Sequence, residues 1–216
     1  MKNLVELVNK DEPGWDLVKE WLVGAKNHYE ILPKEISRAE VELVNTQVTT
    51  RSPMGAIVYE TGGILIDHGW VRVLGSGSSR LDRGLMEWNK GKSLGFLLVA
   101  DDVIGGYFAI NGGAFGSEPG NIYYLAPDTL EWENLDFGYS DFLNWLLHGN
   151  IRKFYEPFKW QNWQEDTGKI NGNQVFQFFP FLWTKYDCIE DLNRKAISVE
   201  ENYALTLEMQ NQLSGE

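Results

Sequence analysis

A sheet laid down in quick succession and then covered is written into residues 95–147. Three short apolar runs, Phe96 to Ala100, Tyr107 to Ile110 and Ile122 to Leu125, are separated by turn-forming residues. The first, bounded by Gly95 and by Asp101-Asp102, predicts a strand buried on both faces. The connections of all three suit antiparallel hairpins, because parallel neighbours need a long crossover. Asp101-Asp102 reads as a polar turn, since short acidic side chains bond their own backbone there. Pro127-Asp128-Thr129 is a second turn, and Leu130-Glu131-Trp132 starts a fourth strand. The period then changes. Ser140 is an N-cap and Asp141 an acid in the first turn, followed by Phe142, Leu143, Trp145, Leu146 and Leu147, with Gly149 as the stop. A helix apolar on more than one face belongs against the sheet just formed.

Upstream, Leu4, Val5, Leu7 and Val8 predict a short helix, and Asp11-Glu12-Pro13 opens a second with Trp15, Val18, Leu22 and Ala25 on one stripe. Asn27-His28 ends it and Leu32-Pro33 marks a break. Ser37 with Glu40 fits a capping box for a third helix. From Gln47 the character turns to β, with strands at Ala56–Tyr59, Ile64–Ile66 and Trp70–Leu74. Thr61-Gly62-Gly63 and Asp67-His68-Gly69 are the turns between them. Leu81, Leu85 and Trp88 follow at helical spacing. Beyond Asn150 the chain is aromatic and irregular, from Phe154 to Trp183, until Ser198 with Glu201 opens a last helix through Tyr203, Leu205, Leu207 and Met209. The reading is one α+β domain over 1–216: helices in 1–46, a β-rich core in 47–150 and an aromatic-rich C-terminal extension in 151–216. Its sheet is mainly antiparallel, with helices packed on one side.

The formal net charge of −12 argues against nucleic acid, because neutralising phosphates needs clustered Lys and Arg. An acidic surface keeps a protein soluble and also suits a partner with a basic surface. Cys188 is the only cysteine, which leaves no intrachain disulfide and no cysteine-rich zinc site. The first residues show no signal-peptide h-region and no apolar run has the length of a membrane span, so the expectation is a cytoplasmic protein with no membrane partner.

Several constellations bear on function. Gly75, Ser76, Gly77, Ser78 and Arg80 lie between a strand and a helical pattern, where exposed N–H groups hold an anion and an arginine adds charge. The bland reading of the same residues is a tight connection with Ser as N-cap. The segment lacks the ending of a nucleotide P-loop and the spacing of a dinucleotide fingerprint. The glycine loop from Asn111 to Gly120 presents Phe115, with Asn111 and Glu118 beside it, either as a contact loop or as an aromatic anchor folded back into the core. His28, His68 and His148 have no helical i,i+4 partner, so no metal site is expected. Asp101-Asp102 would need a cleft to act as an acid–base pair. Ser52, Ser78 and Ser117 lack a nucleophile elbow, and Cys188 sits among acids that disfavour its thiolate. No residue is assigned a catalytic role and no cofactor is expected.

Two resemblances enter on these residues. The segments QVTTRSPMGAIVYETGGILIDHGWVRVLGSGSSR, EWN and GGYFAINGGAFG are similar to the uncharacterised bacterial DUF2625 family, over most of the chain. More remotely, the order strand, glycine loop, NIYYLAPDTLEWENL and DFGYSDFLNWLL resembles the SUKH superfamily. That second resemblance implies a non-enzymatic binding module, including immunity proteins that face toxins. The leading expectation is therefore a protein-binding module facing a basic or toxin-like protein. The alternative is a small-anion-binding protein or enzyme using Gly75–Arg80, with Asp101, Asp102 or His68 as polar participants. A homo-oligomer joined through the aromatic C-terminal part is a third reading.

Overall fold

Seven strands form one antiparallel sheet in sequence order. They are β1 (Tyr29–Leu32), β2 (Gly63–Ile66), β3 (Val71–Leu74), β4 (Phe96–Asp102), β5 (Tyr107–Asn111), β6 (Asn121–Leu125) and β7 (Trp132–Gly138). The computed structural model describes residues 1–92 and 94–215. The helices before and within the sheet are α1 (Leu4–Leu7), α2 (Gly14–Val23), α3 (Ile36–Thr46), α4 (Pro53–Glu60) and α5 (Leu85–Asn89). After it come α6 (Tyr139–His148), α7 (Ile151–Phe154) and α8 (Trp163–Thr167), a hairpin of β8 (Gln174–Phe179) with β9 (Asn193–Ser198), and α9 (Val199–Ser214).

Side chains alternate across a strand, and the register sorts the two faces. Ile64, Ile66 and Val73 point to a layer of helices, where they meet Val18 and Trp21 of α2, Ile57 of α4 and Leu143, Leu146 and Leu147 of α6. Phe108 belongs to the same face and packs on Phe142 of α6, with ring centroids 4.9 Å apart. Its neighbour Tyr107 points the other way and meets Tyr203 of α9 at 4.8 Å. The C-terminal extension thus covers the second face, and Trp160, Val175 and Phe178 are buried there. Burying both faces explains why the central strands read as continuous apolar runs instead of alternating ones.

Five local expectations are corrected. Ala56–Tyr59 is not a strand but the middle of α4; Ser52 caps it by accepting from the Gly55 amide, Pro53 sits in the first turn, and four successive buried residues (Gly55, Ala56, Ile57 and Val58) erase the amphipathic stripe. Between Asn27-His28 and the break at Leu32-Pro33 lies a strand that was not expected, β1, which pairs with β2. α3 starts at Ile36 after Glu35, so Ser37 and Glu40 lie inside the helix, and α6 starts at Tyr139, one residue before Ser140. Asp101 and Asp102 are not a turn: they are the buried last residues of β4, and the turn is Val103–Gly106. Ser198 caps α9 as expected, accepting from the Glu201 amide.

Candidate functional site

Two acids at the end of β4 face opposite sides of the sheet, because adjacent residues in a strand must. Asp101 faces the C-terminal extension and is 1% exposed. It is gripped from two sides: Arg72 Nε donates to one oxygen and Arg83 Nη1 to the other, each at 2.5 Å. The arginines also hold backbone. Arg72 Nη1 donates to the Gln174 carbonyl and Arg83 Nη2 to the Gly172 carbonyl, at 2.5 and 2.6 Å. One buried carboxylate therefore organises two arginines that latch residues 172–174 onto the sheet. Asp102 faces the helical layer, where Tyr124 and Tyr155 hydroxyls and the Ile104 and Gly106 amides all donate to it. Gly106 is required, since an added Cβ would lie 2.5 Å from the carboxylate. Burial pushes the Asp102 carboxyl above its usual range, against the pull of these donors and of Arg72; burial likewise pushes both tyrosines well above theirs.

Beside the latch lies a cleft of about 160 Å³. One wall is the β2–β3 turn with His68 and Gly69, the other is residues 167–172, Arg80 stands on the rim, and Arg72 lies at the buried end. Leu65, Val103 and Ile170 are the apolar residues of a lining that is otherwise polar or glycine. Asp67 and His68 both take left-handed backbone, φ 49° and 60°, in a tight turn closed by the Trp70 amide on the Asp67 carbonyl. His68 stacks on His28, with centroids 4.1 Å apart and planes 12° from parallel. Lys159 pairs with Asp67 and lies over the Trp163 ring at 3.9 Å, which ties the turn to the C-terminal extension. The Thr167 hydroxyl is buried without a hydrogen-bond partner among the described residues, and Gly172 must be glycine because its amide donates to the Arg80 carbonyl and a Cβ would lie 2.6 Å from that oxygen.

Of the anion loop expected at Gly75–Arg80, the structure brings only Arg80 to the cleft. Gly75, Ser76, Gly77 and Ser78 are buried, and the last three amides donate to the carbonyls of Thr61, Gly62 and Leu81. Helix α5 begins five residues after Arg80, behind Gly84 and with no side-chain cap, so the loop is not the N-cap connection expected either. Arg80 pairs with Glu30 of β1. His68 joins the cleft; Asp101 and Asp102 stand behind it.

The glycine loop is organised from within. Asn111 is buried; its side chain accepts from the Gly113 and Phe115 amides and donates to the Glu118 carbonyl. Phe115 folds back onto Trp132, centroids 4.3 Å apart, while Glu118 is exposed.

Arg72, Arg83 and Thr167 were not singled out in the sequence. A signal existed for Arg72: it is a lone charge inside the apolar run Trp70–Leu74, and a charge on a buried strand needs a buried counter-charge. The adjoining strand ends in Asp101-Asp102.

A larger open groove of about 930 Å³ runs between α3 and α5, lined by Arg38, Val41, Glu42, Met86, Glu87 and Lys90 among others. Glu42 is buried in its wall, accepts from the Met86 amide at 2.7 Å, and is held above its usual range by burial.

Among the described residues no helix is long and apolar enough to cross a membrane. The family described as "Protein of unknown function DUF2625" matches residues 4–202, and the chain belongs to that family. An uncharacterized protein of Haemophilus influenzae is 46% identical over 211 residues, covering 94% of this chain and 92% of its own length. The putative uncharacterized protein YbfG of Escherichia coli K12 is 44% identical over 212 residues, covering 97% of both. No solved structure matches.

Proposed function

We propose that this member of the DUF2625 family is a binding protein for a small anion, held in the cleft between the β2–β3 turn and residues 167–172. The carrying observation is the convergence of Arg72, Arg80 and His68 on one cleft of ligand size. Arginine presents a planar fork of donors that fits an oxyanion, and burial strengthens such contacts by excluding water. A thermal-shift screen against small anions tests the reading. A hit should disappear in Arg80→Ala while the melting temperature without ligand stays unchanged, since Arg80 is an exposed side chain in a surface pair, which adds little stability. A flat screen across phosphate, sulfate and organic acids overturns it.

A second reading keeps the protein-binding module, SUKH-like and immunity-like, facing a basic or toxin-like partner. Two observations favour it. Helix α6 directly follows the last sheet strand and covers the sheet, the arrangement that the SUKH resemblance implies. The α3–α5 groove has Ile36 and Val41 nearby, 69% and 58% exposed. Capture of one partner that Val41→Glu abolishes would favour this reading, and no change on Val41→Glu would remove it.

A further inference from the structure

Resting on the anion reading, we infer that the cleft takes a small organic monocarboxylate with a compact apolar body, in preference to phosphate. Charge comes first. Arg72 shares Asp101 with Arg83, and Arg80 already pairs with Glu30. Three arginines thus face two carboxylates, which leaves one net positive charge, and a doubly charged phosphate would find too little counter-charge for its desolvation. A single carboxylate asks for less, and its two oxygens match the parallel N–H bonds of a guanidinium. Arg72 supports this: Nε, Nη1 and Nη2 donate one bond each to Asp101, the Gln174 carbonyl and the Asp102 carbonyl, which uses three of the five N–H bonds that a guanidinium carries.

The lining comes second. Leu65, Val103 and Ile170 are the smaller, apolar share of a mostly polar lining, and they offer a compact carbon body the contact that a phosphate cannot use. Size comes third: a cavity of about 150 Å³ accepts a benzene ring, so the roughly 160 Å³ here suits an aromatic or branched aliphatic body of about six carbons. Arg80, on the rim, then divides its time between Glu30 and the ligand.

The experiment is a calorimetric titration of the full chain with benzoate, isovalerate and inorganic phosphate, with amide NMR to locate any binding. The expected result is that benzoate or isovalerate binds at least about tenfold tighter than phosphate, shifting amides in 65–72 and 167–172. Arg80→Met should weaken that binding about tenfold, the size of one lost charge-assisted hydrogen bond. Ile170→Trp, filling the cleft, should abolish it; should that variant fail to fold, the exposed Arg80 position still decides. Phosphate binding as tight as either carboxylate, and lost in Arg80→Met, overturns the carboxylate assignment and leaves the anion reading standing. No binding of any of the three at concentrations on the order of 10 mM overturns both. Carboxylate binding untouched by Arg80→Met, with shifts elsewhere, also overturns both.

Discussion

Replacing Asp101 by Asn keeps the shape of the side chain and removes the charge that two arginines share. Asp101, Arg72 and Arg83 are 1%, 2% and 6% exposed, so water cannot take over the role of the carboxylate. Removing one partner from a buried ion pair costs about 3–5 kcal/mol, because an uncompensated charge stays buried. Here two guanidiniums are left, held close together by their bonds to Gln174 and Gly172, so the upper part of that range applies. For a chain of this size each kcal/mol lowers Tm by about 2–4 °C, giving a fall of roughly 10 °C or more. Scanning calorimetry measures it, and limited proteolysis mapped by mass spectrometry should show new cleavage near residues 171–174, where the latch closes. The all-apolar combination Arg72→Met, Asp101→Leu and Arg83→Met separates charge from backbone anchoring. In simple buried ion triads such a replacement is often neutral or stabilising. Here it strips donors from the carbonyls of Asp102, Gln174 and Gly172, and each such hydrogen bond from a charged group contributes about 1.5–3 kcal/mol. The triple variant should therefore stay well below wild type. An Asp101→Asn melt within about 2 °C of wild type would refute the latch argument.

The other expectations concern separate elements. Glu42 has its carboxyl raised above 4.5 by burial, so the folded state favours the proton; its contribution is complete at acid pH and is lost as pH rises through the raised value. Glu42→Gln should therefore gain stability relative to wild type from about pH 4.5 towards neutrality, and an unchanged pH slope in denaturant melts would sink this. Phe115→Ala should cost about 2 kcal/mol, less than a full core deletion because the ring is half-buried on Trp132; a chemical melt unchanged from wild type would instead make the ring a contact side chain. Glu30→Gln releases Arg80 from its surface pair and should tighten anion binding severalfold in a titration, whereas weaker binding would place Arg80 outside the site.

The sheet was legible because its signals are local. Each of β4, β5 and β6 is a short apolar run closed by a turn, and the order of these three follows from connections too short to cross over. Helix α4 was not, because burial all round leaves no stripe, and an apolar run of four residues has no period. Strand β1 was hidden for the opposite reason: Glu30 and Ile31 are exposed at the edge of the sheet, so no buried run announces it. The site divides the same way. His68 and Arg80 stand out as polar residues in turns. Arg72 and Arg83 act through contacts some 20 to 100 residues away along the chain, and no local pattern carries a pairing such as Arg72 with Gln174. Asp101-Asp102 shows how the error arises. Two adjacent acids suit a surface turn by composition, and only the arrival of arginines from elsewhere in the chain makes a buried strand end possible.

Arg72 belongs both to the latch and to the cleft, and this joins stability to ligand binding. The cleft wall at 167–172 adjoins residues 172–174, which the latch holds, so an anion seated there closes the seam between sheet and extension. A ligand at a hundredfold excess over its Kd stabilises the state it binds by about 2.7 kcal/mol. If the seam opens before the rest of the molecule, that stabilisation appears first in the extension, as slower cleavage near 171–174 at temperatures well below Tm. Asp101→Asn should then lose affinity as well as stability, because Arg72 no longer has the carboxylate that aims it. Arg80→Met should lose affinity alone. The two variants therefore make opposite patterns: one moves cleavage without ligand, the other moves only the protection that ligand confers. Ligand protection spread evenly over every cleavage site, with none favouring the seam, would separate the cleft from the latch and return Arg72 to a purely structural role.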